Sequence, residues 1–143
     1  MVGRGENAVE RETFEGLTFE IIPGPIVLVT WQGEASEAGI RALYDYAARA
    51  REAYGEDVAT RAIIDAREAT GIERAGRAEF RRSSKNKSWE YAAIVGIRFE
   101  IRVVLELAAK GIEILKLPLT RLGFFDDQAE AMAWLETKAG ERA

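Results

Sequence analysis

The sequence contains no cysteine and no histidine among its 143 residues. The missing cysteine excludes disulfide bonds, thiolate nucleophiles and sulfur-ligated zinc or iron–sulfur sites. The missing histidine removes the commonest general base and metal ligand, and with them any Ser-His-Asp or Cys-His catalytic arrangement. Carboxylates, Lys, Tyr and Ser remain for a carboxylate- or Lys-based enzyme. The absences nevertheless favour a protein that is not an enzyme and that needs no metal or cofactor.

The sequence also shows neither a signal peptide nor a membrane-spanning helix. Residues 1–15 mix arginine with glutamate and contain no apolar stretch of the kind that signal peptides carry. No apolar run approaches the ~20 residues that a membrane-spanning helix needs. We therefore expect a cytoplasmic protein with no stable membrane insertion. The net charge of -4 argues against nucleic acid as a partner, because nucleic-acid binding favours a basic surface.

The length and the hydrophobic content of 48% are those of one globular domain. The first 15 residues are polar and without periodicity, which predicts a flexible N-terminal tail over residues 1–15. The remainder predicts a single domain over residues 16–139.

Hydrophobic periodicity predicts strands that alternate with helices. The segments Leu17–Ile22 and Ile26–Trp31 flank Pro23-Gly24-Pro25 and predict an antiparallel hairpin. Ser36 is a candidate N-cap for a helix that Gly55 can end. The later predicted elements are a strand over Ala62–Ile64 that ends at Asp65, a helix over Arg74–Lys85, a strand over Tyr91–Val95, a helix over Arg98–Lys110, an edge strand over Ile114–Leu119, and a helix that begins with a capping box at Asp127–Glu130. The order ββαβαβαβα predicts an α/β fold with one mixed sheet.

Four stretches carry a resemblance to a known family. They are Ile26–Gly33, Ile63–Asp65, Ala92–Gly96, and the closing Phe125–Leu135 with its aromatic, acidic and Ala-x-Ala-Trp-Leu elements. In this order they resemble the STAS superfamily, and more closely its SpoIIAA-like branch, also labelled STAS/SEC14. The resemblance implies a SpoIIAA-like β–α superhelix around one mixed sheet, in a family whose members are largely non-enzymatic.

The resemblance also bears on regulation. Anti-sigma-factor antagonists of the superfamily bind a partner kinase and are switched by phosphorylation of a Ser or Thr at the start of a helix. The matching segment here is Ile72–Gly76, and Ala75 occupies the phospho-acceptor position without a hydroxyl group. Thr70, Ser83 and Ser84 lie outside the pattern. We therefore expect the phosphorylation switch to be absent.

Basic residues are concentrated in residues 73–88, where six arginines and lysines face two glutamates in a chain of net charge -4. On a helix, Arg74, Arg77, Arg81 and Lys85 lie along one side, because residues three or four apart are neighbours. This basic face fits an acidic protein surface, a phosphorylated ligand or anionic lipid headgroups. The alternative, which is the commoner case, is a solvated face paired locally with Glu73 and Glu79.

The predicted helix over Arg98–Lys110 has two apolar stripes rather than one. Phe99, Val103 and Leu107 form the surplus stripe. The other is a core stripe of Ile97, Ile101, Val104, Leu105 and Ala108. It is a candidate for a hydrophobic ligand cavity or a homodimer contact. Packing beneath the helix of Trp134 is the alternative, and we favour it because apolar stripes usually belong to the core.

Taken together, these features predict a non-enzymatic STAS-like binding or regulatory module that acts through a protein partner. A carrier or sensor of a hydrophobic, lipid-like ligand is the alternative. Asp65 is interpreted as a cap for the turn that follows its strand rather than as a ligand-binding group.

Overall fold

The structure is a computed structural model that describes residues 10–23, 26–55, 61–83, 91–114 and 121–142. These ranges contain ten elements in the order βββαβαβαβα. The strands are β1 (Glu12–Phe14), β2 (Leu17–Ile22), β3 (Ile26–Ala35), β4 (Arg61–Ile72), β5 (Tyr91–Val95) and β6 (Arg121–Phe125). The helices are α1 (Glu37–Tyr54), α2 (Arg74–Ser83), α3 (Phe99–Ile114) and α4 (Gln128–Arg142).

The six strands form one mixed sheet in the order β1-β2-β3-β4-β5-β6. The pairs β1–β2 and β2–β3 are antiparallel, whereas β3–β4, β4–β5 and β5–β6 are parallel. Ile22 lies opposite Ile26, as the predicted hairpin requires. The predicted α/β class, the mixed sheet and the N-terminal hairpin are therefore confirmed.

Strand β1 lies inside the segment that was predicted to be a flexible tail. It is joined to β2 by Glu15 and Gly16, which both have positive φ, 45° and 83°. Two positive φ values are typical of the tightest hairpin turns. The backbone N–H of Gln32 donates to the carbonyl oxygen of Gly16 at 2.8 Å, which holds the turn against β3. The tail prediction is therefore wrong for residues 12–14.

Two strands differ in their bounds from the sequence prediction. Strand β4 continues past Asp65 to Ile72 and stays paired with β3 through two register shifts. Ile114, the first residue of the predicted last strand Ile114–Leu119, is instead the final residue of α3. Residues 115–120 lie outside the described part of the chain, so the edge position predicted around Pro118 stays a prediction. The last described strand is β6, which pairs with β5 alone among the described strands.

The helices cover the two faces of the sheet unequally. Helices α1, α2 and α3 pack on one face, around buried side chains such as Tyr46 and Ile101. Helix α4 covers the other face, where Leu135 is completely buried. The sheet therefore has a hydrophobic core on each face, and three successive helices lie side by side on one of these faces.

Helix ends follow the capping residues that the sequence provides. The Ser36 hydroxyl oxygen accepts the Gly39 backbone N–H at 2.9 Å, which confirms its N-cap role. Gly55, at a φ of 95°, donates its N–H to the carbonyl oxygen of Arg51 at 2.9 Å and ends α1. Asp127 likewise accepts the Glu130 N–H at 2.9 Å at the start of α4.

Candidate functional site

The N-terminal end of α2 is fixed to the end of β3. The N–H of Glu73 donates to the carbonyl oxygen of Ala35 at 2.9 Å. Gly76 is buried one turn later, and a Cβ placed on it would lie 2.8 Å from the same oxygen. Because only glycine permits this approach, Gly76 lets α2 pack closely against the sheet. The opposite face of α2 is exposed to solvent.

A buried carboxylate holds α2 against α1. Glu79 is only 4% exposed and accepts hydrogen bonds from Ser83 and Arg82, with Arg41 of α1 3.4 Å away. The Ser83 hydrogen bond and the guanidinium groups of Arg82 and Arg41 keep the pKa of Glu79 below its ordinary value, although burial alone would raise it. Burial raises the pKa of nearby Tyr44, and the charge of Glu79 adds to this effect. The network fixes the orientation of α2.

The predicted basic face of α2 is exposed. Arg74, Arg77 and Arg81 all lie on the solvent side of the helix. Within the described ranges, no ion pair involves Arg74 or Arg77. Local pairing with Glu73 and Glu79 was the alternative interpretation, but Glu79 pairs with Arg82 and Arg41, and among the described residues Glu73 forms no ion pair. The fourth predicted member of this face, Lys85, lies outside the described residues.

Three arginines of α2 and an apolar strip of α3 share one groove, which we call the α2–α3 groove. Its volume is about 310 Å³, near the lower limit of the ~300–1,000 Å³ typical of ligand pockets. The lining residues are Arg74, Arg77, Arg81, Val104, Leu107 and Ala108. Leu107 is 66% exposed, which is unusual for a leucine and leaves apolar surface beside the guanidinium groups.

The surplus apolar stripe of α3 is only partly brought into this groove. Leu107 lines it, whereas Phe99 is 75% exposed and lies outside it, and Val103 is half-buried. Ile101 is the residue that faces the core. Trp134 packs on the opposite face of the sheet, so the preferred interpretation of this stripe as core beneath α4 is wrong for Phe99 and Leu107.

Val104 and Ala108 were missed as site residues because the sequence pattern assigned them to the core stripe of α3. A signal was present in the predicted order of elements. Consecutive right-handed β–α–β crossovers place successive helices side by side on one face of a sheet. The rule brings α2 and α3 together only when β4, β5 and β6 are neighbours in that order, and this strand order is seen in the structure rather than in the sequence.

A second cavity lies inside the core, between the sheet and helices α1, α2 and α3. Its volume is about 70 Å³. Its walls are almost entirely apolar and include Leu43, Tyr44, Phe80 and Leu105. Trp31 also lines it, and its buried Nε1 has no hydrogen-bond partner. The cavity predicted beside Phe99, Val103 and Leu107 therefore differs from this one, which lies on the other side of α3.

Asp65 does not cap a turn. It lies within β4, where its carboxylate accepts hydrogen bonds from the backbone N–H and the guanidinium of Arg67, the shortest at 2.7 Å. The Arg67 hydrogen bonds hold the pKa of Asp65 below its ordinary value. The predicted turn is wrong because the strand continues through this residue, although the Asp65 carboxylate does accept the backbone N–H two residues on, as a capping Asp does.

Ala75 lies exposed in the first turn of α2, the place that the resemblance gives to a phosphorylated residue. In the described part of the chain, no three acidic side chains come together as a metal site would require. None of the described helices combines the length and the apolar character needed to cross a membrane.

Comparison with solved structures finds the same architecture in other proteins, among them the following three. An uncharacterised protein of the DUF3478 family from Shewanella loihica, with a SpoIIAA-like fold, is 16% identical with a TM-score of 0.54, over 89% of this chain and 99% of that chain. A candidate anti-sigma factor antagonist from Thermotoga maritima is 12% identical with a TM-score of 0.51, over 82% and 92%. The anti-sigma factor antagonist SpoIIAA, in its unphosphorylated form, is also 12% identical with a TM-score of 0.51, over 85% and 97%.

No protein-family model and no curated protein matches the sequence. At such low identities, the structural likeness establishes the fold alone. The chain has a STAS, SpoIIAA-like fold, as the sequence resemblance implied.

Proposed function

We propose that this chain of SpoIIAA-like fold is a non-enzymatic, cytoplasmic binding module that acts through a protein partner held in the α2–α3 groove. The observation that carries the proposal is that exposed arginines and an exposed leucine lie side by side in this groove. Arg74 and Arg77 have no ion pair among the described residues, and the exposed Leu107 lies beside them. Exposed arginine is typical of protein-binding sites, where arginine is enriched and is among the few residues that supply most of the affinity.

The residue at the start of α2 supports a module that is not switched by phosphorylation. Ala75 lies at the start of α2 and carries no hydroxyl group to phosphorylate. We infer that partner binding here depends on the fixed arginine row rather than on a covalent switch. The Glu79 network supports this interpretation, because its hydrogen bonds join α2 to α1.

The size of the internal cavity makes a lipid carrier the weaker alternative. At about 70 Å³, the cavity is well below the ~300–1,000 Å³ of common ligand pockets. An acyl chain would require α3 to move away from the sheet. A co-purifying lipid, found by solvent extraction and mass spectrometry, would favour the carrier over the partner-binding module.

Affinity capture from a cell extract tests the proposal. The bait is the wild-type chain, the triple variant R74E/R77E/R81E, or the control R98E, which changes the charge of an exposed arginine outside the groove. We expect a protein retained by the wild type and R98E to be lost from the triple variant. Identical profiles for all three baits would refute a role for the groove.

A further inference from the structure

We infer that the partner segment bound by the α2–α3 groove is an acidic amphipathic helix. This inference rests on the proposed function and specifies the chemistry of the partner. Its basis is the arrangement of charge and apolar surface on the two helices that form the groove.

The arginines of α2 follow helical spacing. Arg74, Arg77 and Arg81 are separated by three and four residues, and they span seven residues, or about 10 Å of helix at ~1.5 Å per residue. A second helix lying along the groove repeats this spacing with carboxylates separated by three and four residues. Three charge-assisted contacts can then form in register, without bending either backbone.

The apolar wall of the groove is formed by about one turn of α3. Val104, Leu107 and Ala108 are separated by three and one residues and form one strip on α3. A partner helix that places carboxylates over α2 therefore presents the adjacent part of its surface to this strip. Leucine, methionine or phenylalanine at that position of the partner covers the exposed Leu107. The partner helix is thus amphipathic, with an acidic row beside an apolar row.

A second copy of this chain fits the groove less well. In α1, Glu37 and Asp45 are already paired with Arg41 and Arg49. In α4, Glu130 and Glu136 are six residues apart and so point to different sides of the helix. Among their described side chains, neither helix offers an unpaired acidic row of the required spacing.

An anionic membrane surface is also a poorer fit than a helix. The arginines line a concave groove between two helices. A partner helix of ~10 Å diameter can contact these exposed arginines and the apolar side chains of α3 at the same time, whereas a flat lipid surface matches the arginines alone. Vesicle binding is therefore included as an outcome of the test.

Fluorescence polarisation with a labelled synthetic peptide of about 20 residues tests the inference. The probe is an alanine-rich helix with glutamates at the spacing of Arg74, Arg77 and Arg81 and leucines on the adjoining side. The control peptide has the same composition with the glutamates rearranged. We expect the wild-type chain to bind the probe at least about tenfold more tightly than the control peptide, and R74E/R77E to lose this preference. A peptide with lysines at the glutamate positions should bind R74E/R77E more tightly than it binds the wild type.

Equal binding of probe and control peptide, or no effect of R74E/R77E, would overturn the inference. So would the absence of probe binding, whether or not the wild type binds phosphatidylglycerol vesicles. Vesicle binding that R74E/R77E abolishes would assign the groove to a membrane instead. Affinity capture distinguishes failure of the acidic-helix inference from failure of the proposed function. If a protein is captured by the wild type and lost from the triple variant but the probe does not bind, the proposed function stands and the acidic helix is refuted.

Discussion

The α carbon of Gly76 faces the carbonyl oxygen of Ala35 so closely that a Cβ on residue 76 would lie 2.8 Å from that oxygen. The backbone oxygen cannot move aside easily, because it also accepts the Glu73 N–H. We expect G76A to destabilise the protein by about 1–3 kcal/mol, as overpacking in a core does. Urea denaturation followed by circular dichroism gives the free energy of unfolding.

Gly111 provides the matched control, because it is also helical but a Cβ placed on it would meet no atom within 4 Å. G111A should stabilise the chain by roughly 0.5–1 kcal/mol, since alanine favours a helix more than glycine does. Equal effects of the two substitutions would show that α2 does not lie this close to β3.

The buried carboxylate of Glu79 should make stability depend on pH. Its pKa is lowered in the folded state by Ser83, Arg82 and Arg41. The stabilisation is therefore complete above the unfolded value of 4.5 and is lost as the pH falls through the lowered folded pKa. We expect E79Q to cost about 1–3 kcal/mol at pH 7 and less at pH 3.

Thermal or urea unfolding of wild type and E79Q at both pH values measures this difference. Glu100, exposed on α3, provides the control E100Q, which should leave the stability at pH 7 nearly unchanged. A wild-type advantage over E79Q that is the same at pH 3 and pH 7 would contradict the predicted network.

Neighbouring alanines of β5 face opposite sides of the sheet. Ala92 lines the internal cavity, whereas Ala93 packs in the core beneath α4. We expect A92V to be neutral or stabilising by up to ~1 kcal/mol, because it adds apolar volume to a cavity. We expect A93V to cost about 1–3 kcal/mol, because that side is filled. Unfolding free energies in the reverse order would mean that the faces of β5 are wrongly assigned.

The two apolar stripes of α3 differ in burial. Ile101 is 3% exposed, whereas Phe99 is 75% exposed. We expect I101A to cost about 2–4 kcal/mol and F99A to cost less than ~0.5 kcal/mol, because only the first removes core contacts. Chemical denaturation of the two variants measures this contrast, and similar losses would mean that α3 is rotated about its axis.

Local sequence signals were sufficient where one residue decides the geometry. Ser36 and Asp127 cap their helices as predicted, because the oxygen of a short polar side chain just before a helix can accept a free backbone N–H of the first turn. The run Tyr91–Val95 could be recognised as a buried strand from its composition. Gly16 could have indicated the β1–β2 turn, but three residues are too few for a periodic signal.

The remaining differences arise where tertiary contacts override local pattern. The part of β4 beyond Asp65 contains Arg67 and Glu68 and looks like a loop, yet pairing with β3 keeps it extended. The basic row of α2 could be predicted from spacing alone. Its apolar neighbour Leu107 could not be assigned to the same site, because the sequence places it 26 residues or more from that row. The contact between Leu107 and the basic row depends on how α2 and α3 pack side by side.

Site-specific photo-crosslinking in living cells tests most directly whether the chain works through a protein held in the α2–α3 groove. A photoreactive amino acid replaces Leu107, which lines the groove, or Ala133, which is exposed on α4 across the sheet. We expect a discrete protein adduct from position 107 that disappears when R74E/R77E is added, and no such adduct from position 133. The same adduct from both positions, or an adduct at 107 that persists in R74E/R77E, would contradict binding of a protein in the groove.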